Sequence, residues 1–404
     1  MNPTAVAAIA VFAATYIALA IGKLPPLRID RAGIALVGGS LMLAIGAMNV
    51  AEVTQAIDFN TLALLLGMMI VVANLRLSGF FRLVNAWIVT RAHHPMMLLV
   101  AVTFVSGLFS AFLLNDAICL VMTPLVIDIV QRLRRDPAPY LLALAMAANI
   151  GSAATITGNP QNILVGSFSQ IPYGVFAAHL SPPAAVGLIL TVVLIALTYR
   201  REFGRGETLQ ASPMRAHLHR PLAAKSVLVV LAMMAAFFAG QPPAKVALIG
   251  GGILLLTRMV RSERVYREID WPLLVMFAGL FVVVAGFEKA LLTPERVAAI
   301  GGLGLDSMPV LGVATAALSN LVSNVPAVLV IKPFLAKAHD AQHAWLVVAM
   351  ASTFAGNLTV LGSVANLIVV QQARAHGVTI GFWQYLRVGA PLTVLTIAFG
   401  LWWL

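Results

Sequence analysis

One carboxylate, Asp116, falls in the middle of a long apolar stretch, 95–131, at the polar break Leu114-Asn115-Asp116-Ala117. A second apolar stretch, 307–338, is broken in the same way by Ser319-Asn320-Leu321-Val322-Ser323-Asn324-Val325-Pro326. A carboxylate set among apolar residues is costly and is a functional candidate by default. It could carry a proton or ligate a cation such as Na⁺. The structural alternative is a carboxylate that caps the second arm of a hairpin by accepting backbone N–H bonds. The second stretch has Val325 where the first has Asp116, so the two breaks are chemically unequal.

Two more segments place polar residues where apolar ones are cheap, A-N-I-G-S-A-A-T-I-T-G-N-P-Q-N at 148–162 and A-S-T-F-A-G-N-L-T-V-L-G-S-V-A-N at 351–366. Gly158-Asn159-Pro160 cannot be plain helix, because proline removes a donor and clashes with the preceding turn while glycine tolerates irregular dihedrals. Gly362-Ser363 breaks the other segment more weakly, lacking the proline. Freed N–H groups attract anions or polar oxygens, and freed carbonyls attract cations. Asn115, Asn159, Asn324 and Asn366 form a matched set that could complete such a cage. The plainer alternative is interhelical hydrogen bonding, with glycine as a packing residue.

The elements that must hold these residues are membrane helices. Of the 404 residues 60% are hydrophobic and 10% charged, against roughly a quarter charged in soluble domains. Lipid is the matching solvent, and the length allows about ten spans of about 20 residues. Helices are expected at 3–22, 32–49, 60–78, 138–172, 183–200, 223–240, 244–258, 271–287, 343–372 and 383–403. The stretches 95–131 and 307–338 are too long for one span and read as re-entrant hairpins, which lipid permits only if their tips are buried in protein or line a cavity.

With the N-terminus outside, the inner loops are 23–31, 79–95, 132–137, 200–222, 258–270 and 372–386. Only Lys245, Lys289, Arg296, Lys332 and Lys337 of the 26 Lys and Arg then lie outside, so the positive-inside rule puts both termini outside. Lys332 is expected to snorkel outward. The net charge of +11 thereby orients the chain in an inner membrane, and no nucleic-acid partner is expected. The single Cys119 supplies no disulfide framework. Residues 1–22 lack a positive n-region and read as a retained helix.

The halves repeat. Residues 35–43 and Ile57-Asp58-Phe59 match 247–255 and Ile269-Asp270-Trp271 at an offset of 212. Asn115 and Pro124 match Asn324 and Pro333 at 209, and Ala145-Met146, Gly158 and Asn162 match Ala349-Met350, Gly362 and Asn366 at 204. Arg76 and Glu288 also correspond at 212. The expected organisation is repeat one at 1–200, a cytoplasmic linker at 201–222 and repeat two at 223–404. Five spans per repeat is odd, so the repeats face opposite ways. Inverted repeats place a binding site at their interface near the bilayer midplane.

The segments 151–166, 318–329 and 355–369, with Asn115-Asp116-Ala117 and Thr123-Pro124-Leu125, resemble the ion transporter superfamily, within it the arsenite permease and NhaD-type group. The resemblance implies an all-α fold of two inverted repeats of five transmembrane helices, each with a re-entrant hairpin and a broken helix, moving as an elevator. It implies Asn115, Asp116, Gly158, Asn159, Ser323, Asn324, Gly362, Ser363 and Asn366 as substrate or ion ligands. It implies substrates such as arsenite, antimonite, silicic acid, other small ions, dicarboxylates, or Na⁺ exchanged for H⁺. The dicarboxylate branch carries Ser-Asn-Thr at both tips, which Asn115-Asp116-Ala117 and Ser323-Asn324-Val325 do not match.

The expectation is a secondary transporter exporting a small inorganic solute, foremost a metalloid oxyacid, coupled to inward H⁺ through Asp116. Its rivals are a Na⁺/H⁺ antiporter, an intramembrane enzyme and a passive channel. No Arg or Lys is expected at the midplane, which favours a neutral or cationic solute. No cofactor is expected beyond the coupling ion, H⁺ or Na⁺. A homodimer is compatible with the sequence, and ATP use would need a separate ATPase partner.

Overall fold

A computed structural model describes residues 3–21, 29–203, 218–291, 307–335 and 340–404. The first half contains α1 (Pro3–Ile21), α2 (Arg31–Ala44), α3 (Val50–Ala56), α4 (Phe59–Ser78), α5 (Phe80–Arg91), α6 (Pro95–Phe112), α7 (Asn115–Arg132), α8 (Pro137–Ser152), α9 (Pro160–Ser169), α10 (Tyr173–Thr198) and α11 (Arg200–Phe203). The second contains α12 (Arg220–Phe238), α13 (Pro243–Leu255), α14 (Ser262–Tyr266), α15 (Trp271–Leu291), α16 (Met308–Val322), α17 (Asn324–Leu335), α18 (Ala341–Ala355), a 3₁₀ turn Val360–Gly362, α19 (Val364–Ala375) and α20 (Phe382–Trp403). Both expected hairpins form, as α6–α7 and α16–α17. Both long polar helices are broken, as α8–α9 and α18–α19. Seven of the described helices are long and apolar enough to cross a bilayer.

Several boundaries differ from expectation for identifiable reasons. The helix expected at 183–200 begins at Tyr173 and carries Pro182 and Pro183 inside it. The ring of Pro183 frees the His179 carbonyl, and the Trp403 indole N–H donates to that oxygen at 3.1 Å. The helix expected at 32–49 stops at Ala44, and Gly46 at φ 71° turns the chain. Loop residues hold extra short helices. α3 is stabilised by a capping box between Asn49 and Glu52. α5, within the expected loop 79–95, buries Phe81 and Ile88 and exposes Leu83 and Trp87, as a helix lying along the membrane surface would. Residues 204–217 of the expected linker, residue 22 of the first helix and residues 336–338 of the second hairpin lie outside the described residues.

The helices sort into two groups that repeat the same packing. In one, α2 runs along α15 while its counterpart α13 runs along α4, with α1 and α12 outside them. The close crossings use glycines that correspond between halves. A Cβ on Gly67 would stand 2.5 Å from the Ala247 backbone, and one on Gly279 would stand 2.5 Å from the Ala35 backbone. These four residues are the same two positions at the 212 offset, so each half supplies the glycine for one crossing and the alanine for the other. Small residues of this kind let backbones approach where lipid gives no hydrophobic drive to association. In the second group, α6 and α7 pack on α8, and α16 and α17 pack on α18. α7 lies along α19, α17 along α9, and α10 meets α20.

The reciprocity gives a direct test. Gly67→Ala and Gly279→Ala are each expected to destabilise the protein by about 1–3 kcal/mol through overpacking, read as a lowered thermal midpoint in detergent. Gly252→Ala, with nothing within 4 Å of its Cβ position, is the neutral control. Equal midpoints for Gly67→Ala and Gly252→Ala would contradict the close crossing.

Candidate functional site

Each broken helix leaves carbonyls without their helical donors, and each half closes them with the same residue. The Asn162 amide donates to the carbonyls of Ser152 at 3.1 Å and Thr155 at 3.0 Å. The Asn366 amide donates to those of Gly356 at 2.7 Å and Thr359 at 3.0 Å. All three positions correspond at the 204 offset. The glycines at 158 and 362 permit the fold-back: a Cβ on Gly158 would meet the Ser152 carbonyl oxygen at 2.2 Å, and one on Gly362 the Gly356 carbonyl oxygen at 2.8 Å. Asn159 caps α9 by accepting from the Asn162 N–H at 2.8 Å, and Ser363 caps α19.

The two breaks are tied through Asn149, a residue that sequence reasoning did not single out. Its amide donates to Asn357 Oδ1 and Asn366 Oδ1, both at 2.9 Å. Its carbonyl oxygen accepts from Asn115 at 3.2 Å and from the Ser363 hydroxyl at 3.0 Å. Every polar valence of this buried side chain is filled, and the first hairpin tip is thereby joined to the second break. Thr353 stands at the corresponding position, and its hydroxyl reaches Asn162 at 3.4 Å while accepting from Asn159 and Gln161 at 3.2 Å each. The signal was present in the polar strings, because Asn149 and Thr353 are polar at matched positions.

The hairpin tips differ. The first turns over two residues, Leu113 and Leu114, and the Asn115 N–H donates to the Gly158 carbonyl at 3.0 Å. Asn115 Oδ1 is buried and has no hydrogen-bond partner among the described residues. The second turns at Ser323 alone, with φ 81° and ψ 158°, a region nearly reserved for glycine that costs about 1–3 kcal/mol. Asn324 Oδ1 lies 2.6 Å from the Ser319 hydroxyl.

A cavity of about 580 Å³ opens beside these tips, with Asn115, Asp116, Gln161, Ser323, Asn324 and Ser363 on its wall. The exposed Asp30 and Asp270 mark its mouth. Of the residues expected to bind solute, Gly158, Asn159, Gly362 and Asn366 stand behind this wall and shape it. Asp116 is half-buried, and no described side chain or backbone N–H bonds its carboxylate; the tip of α7 has no side-chain cap. The capping alternative therefore does not occur. One expectation needs correcting: a basic residue does line the cavity, Arg31. It sits at the first turn of α2, beside Asp30 at the mouth, where an N-terminal residue was read as loop. A smaller adjoining cavity shares Asp116 and Asp270 and adds Arg76 and Glu268, which pair with each other.

On the opposite side the tips are covered. A crevice of about 550 Å³ there reaches Asp58, Ser167, Phe168, Phe281, Glu288 and Lys332 and none of the tip residues. The Ser167 hydroxyl bonds the Asp58 carboxylate. Lys332 does not snorkel freely; it pairs with Glu288 at 3.6 Å and lies 4.5 Å over the Phe168 ring.

The model of a family described as citrate transporter, CitMHS, matches residues 16–355. A 46 kDa membrane protein of Mycobacterium leprae (strain TN) is 32% identical, over 97% of this chain and 96% of its own. A silicon efflux transporter of Oryza sativa subsp. japonica, LSI3, is 28% identical, over 94% of this chain and 93% of its own. The crystal structure of the Alcanivorax borkumensis YdaH transporter, described as having an unusual topology, has the same fold at a TM-score of 0.61 and 15% identity, covering 98% and 96% of the two chains.

Two variants test the site's construction. Asn149→Asp removes the donor to Asn357 and Asn366, whose own amides are committed elsewhere. Each lost buried bond costs about 1–3 kcal/mol, so the thermal midpoint should fall clearly, and an unchanged midpoint would remove the hub. Ser323→Gly should raise the midpoint by relieving the turn, whereas Ser323→Ala, which keeps the same φ, should not.

Proposed function

The chain belongs to the CitMHS (citrate transporter) family, and from that premise we propose that it exports a small neutral oxyacid, an arsenite- or silicic-acid-like solute, in exchange for protons. One observation carries the reading: the charge around the cavity. Its described wall holds three carboxylates, Asp30, Asp116 and Asp270, and one guanidinium, Arg31. A citrate-like polyanion would enter against net negative charge. Arsenous acid is largely neutral near pH 7 and needs only donors and acceptors, which Asn115, Gln161, Asn324, Ser323 and Ser363 supply. The relative described as a silicon efflux transporter fits the same class of solute.

Asp116 is the coupling residue in this reading. Its carboxylate faces the cavity without a hydrogen-bond partner among the described residues, so proton uptake disrupts nothing in the fold. The membrane orientation with both termini outside turns the Asp270 mouth toward the cytoplasm, where an exporter must load. A second reading, Na⁺/H⁺ exchange, draws on the unpartnered Asn115 Oδ1 next to Asp116. An amide oxygen and a carboxylate are the hard ligands that Na⁺ takes.

Reconstituted protein, given a proton gradient and no sodium, is expected to drive arsenite uphill, and Asp116→Asn is expected to abolish the uphill component. Uphill citrate movement under the same gradient would replace the oxyacid reading with a carboxylate one. Sodium-dependent proton movement without arsenite flux would favour the antiporter.

A further inference from the structure

The covered side shows what the open side lacks. Asp58 caps α4, accepting from the Asn60 N–H at 3.0 Å and the Thr61 hydroxyl at 2.7 Å. Its carboxylate also takes the Ser167 hydroxyl of α9. This bond crosses from the glycine-packed helices to the broken helices that carry the site. At the 212 offset Asp58 corresponds to Asp270, and at the 204 offset Ser167 corresponds to Gln371. Asp270 stands at the start of α15 as Asp58 does at α4, and accepts from the Leu273 N–H at 3.1 Å. Gln371 lies on α19 where Ser167 lies on α9. Both are exposed and both line the open cavity.

We propose that Asp270 and Gln371 are positioning residues of the transport cycle that join when the cavity closes, forming on the open face the contact that Asp58 and Ser167 make on the covered one. Inverted repeats exchange the environments of their two halves when the carrier changes the side it faces. When α19 occupies the setting that α9 has here, Gln371 comes to Asp270. The glutamine amide donates to the carboxylate in a charge-assisted bond. The longer side chain spans what a serine can reach only at close approach.

The latches are unequal. The covered face adds an ion pair between the groups, Glu288 with Lys332. The position matching Glu288 is Arg76, already paired with Glu268 of its own group, and the position matching Lys332 is Thr123. The conformation open at Asp270 therefore holds one cross-group ion pair that the alternate conformation cannot form.

The test uses the full chain carrying Cys119→Ala, reconstituted in vesicles and oxidised with copper phenanthroline. Asp58→Cys with Ser167→Cys should cross-link readily. Asp270→Cys with Gln371→Cys should cross-link more slowly, and adding Lys332→Gln should raise that rate several-fold. In a second arm, Gln371→Glu sets two carboxylates together. In the Asp58→Cys/Ser167→Cys background, which has lost the covered-face bond, it should speed cross-linking, by up to the roughly tenfold or more that one hydrogen bond to a charged group is worth. Asp270→Asn should then reverse the effect, because its amide donates to the new carboxylate. Cross-linking of the second pair, or this reversal, establishes the contact. A second pair that stays open, together with no response to Gln371→Glu, overturns it. Neither arm assumes a solute, so a failed arsenite assay leaves the result standing.

Discussion

In hydrocarbon no water completes an unpaired backbone group, so every interruption of a helix must be repaired from within the protein. Two interruptions here, after α8 and after α18, fall among the site residues. Both are repaired by an asparagine whose two amide hydrogens reach two freed carbonyls, Asn162 to Ser152 and Thr155, Asn366 to Gly356 and Thr359. The remaining geometry depends on this repair. Once the amides are committed, their carbonyl oxygens point away from the breaks and become acceptors for the opposite half. Asn149 donates to Asn366, and Thr353 reaches Asn162. Local backbone satisfaction thereby produces a bond network between the repeats.

The two helix groups are held by different physics. The crossings of α2 with α15 and α13 with α4 are dry backbone approaches set by Gly67 and Gly279. The hairpins and broken helices are joined by buried amides with fixed directions. Between the groups, on the open side, lies a cavity with Asp270 and Gln371 apart on its wall; on the covered side lie a hydroxyl–carboxylate bond, the Glu288–Lys332 ion pair and aromatic contacts of Phe168. Packing of the first kind and networks of the second resist deformation, whereas a thin polar contact can break and reform. The division of rigidity matches a carrier in which one group shifts against the other.

Proline and glycine made much of this legible in the sequence. Gly158-Asn159-Pro160 cannot continue a helix, and the polar tips at 114–117 and 319–326 cannot cross lipid as plain helix. The helix expected at 183–200 instead runs through Pro182-Pro183 from Tyr173. Tertiary contact decides such cases. The carbonyl freed by Pro183 meets Trp403, and the Leu120 carbonyl freed by Pro124 meets Gln372 at 3.0 Å. Neither partner is near in sequence. Asn149 was hidden for a related reason: it sits in an unbroken turn of α8, and its importance arises from residues more than 200 positions away. Arg31 was missed because a loop-like start of α2 gives no hint that it borders a cavity.

The differences between the repeats are as informative as their likeness. Two equivalent halves would make the two facing conformations equal in energy and give the site no preferred charge. Here Asp116 has no acidic counterpart, since Val325 occupies its place. The strained turn belongs to Ser323 alone, where the first half has Leu114 at φ −59°. Among the described residues, the cross-group ion pair belongs to Glu288 and Lys332. The common frame lets the carrier reach both sides. The unmatched residues are then the ones able to decide which side is favoured. Asp116 stands at the tip of the first hairpin, next to the amide that bonds Asn149, so a change in its charge is felt at a side chain that links the first hairpin to the second break.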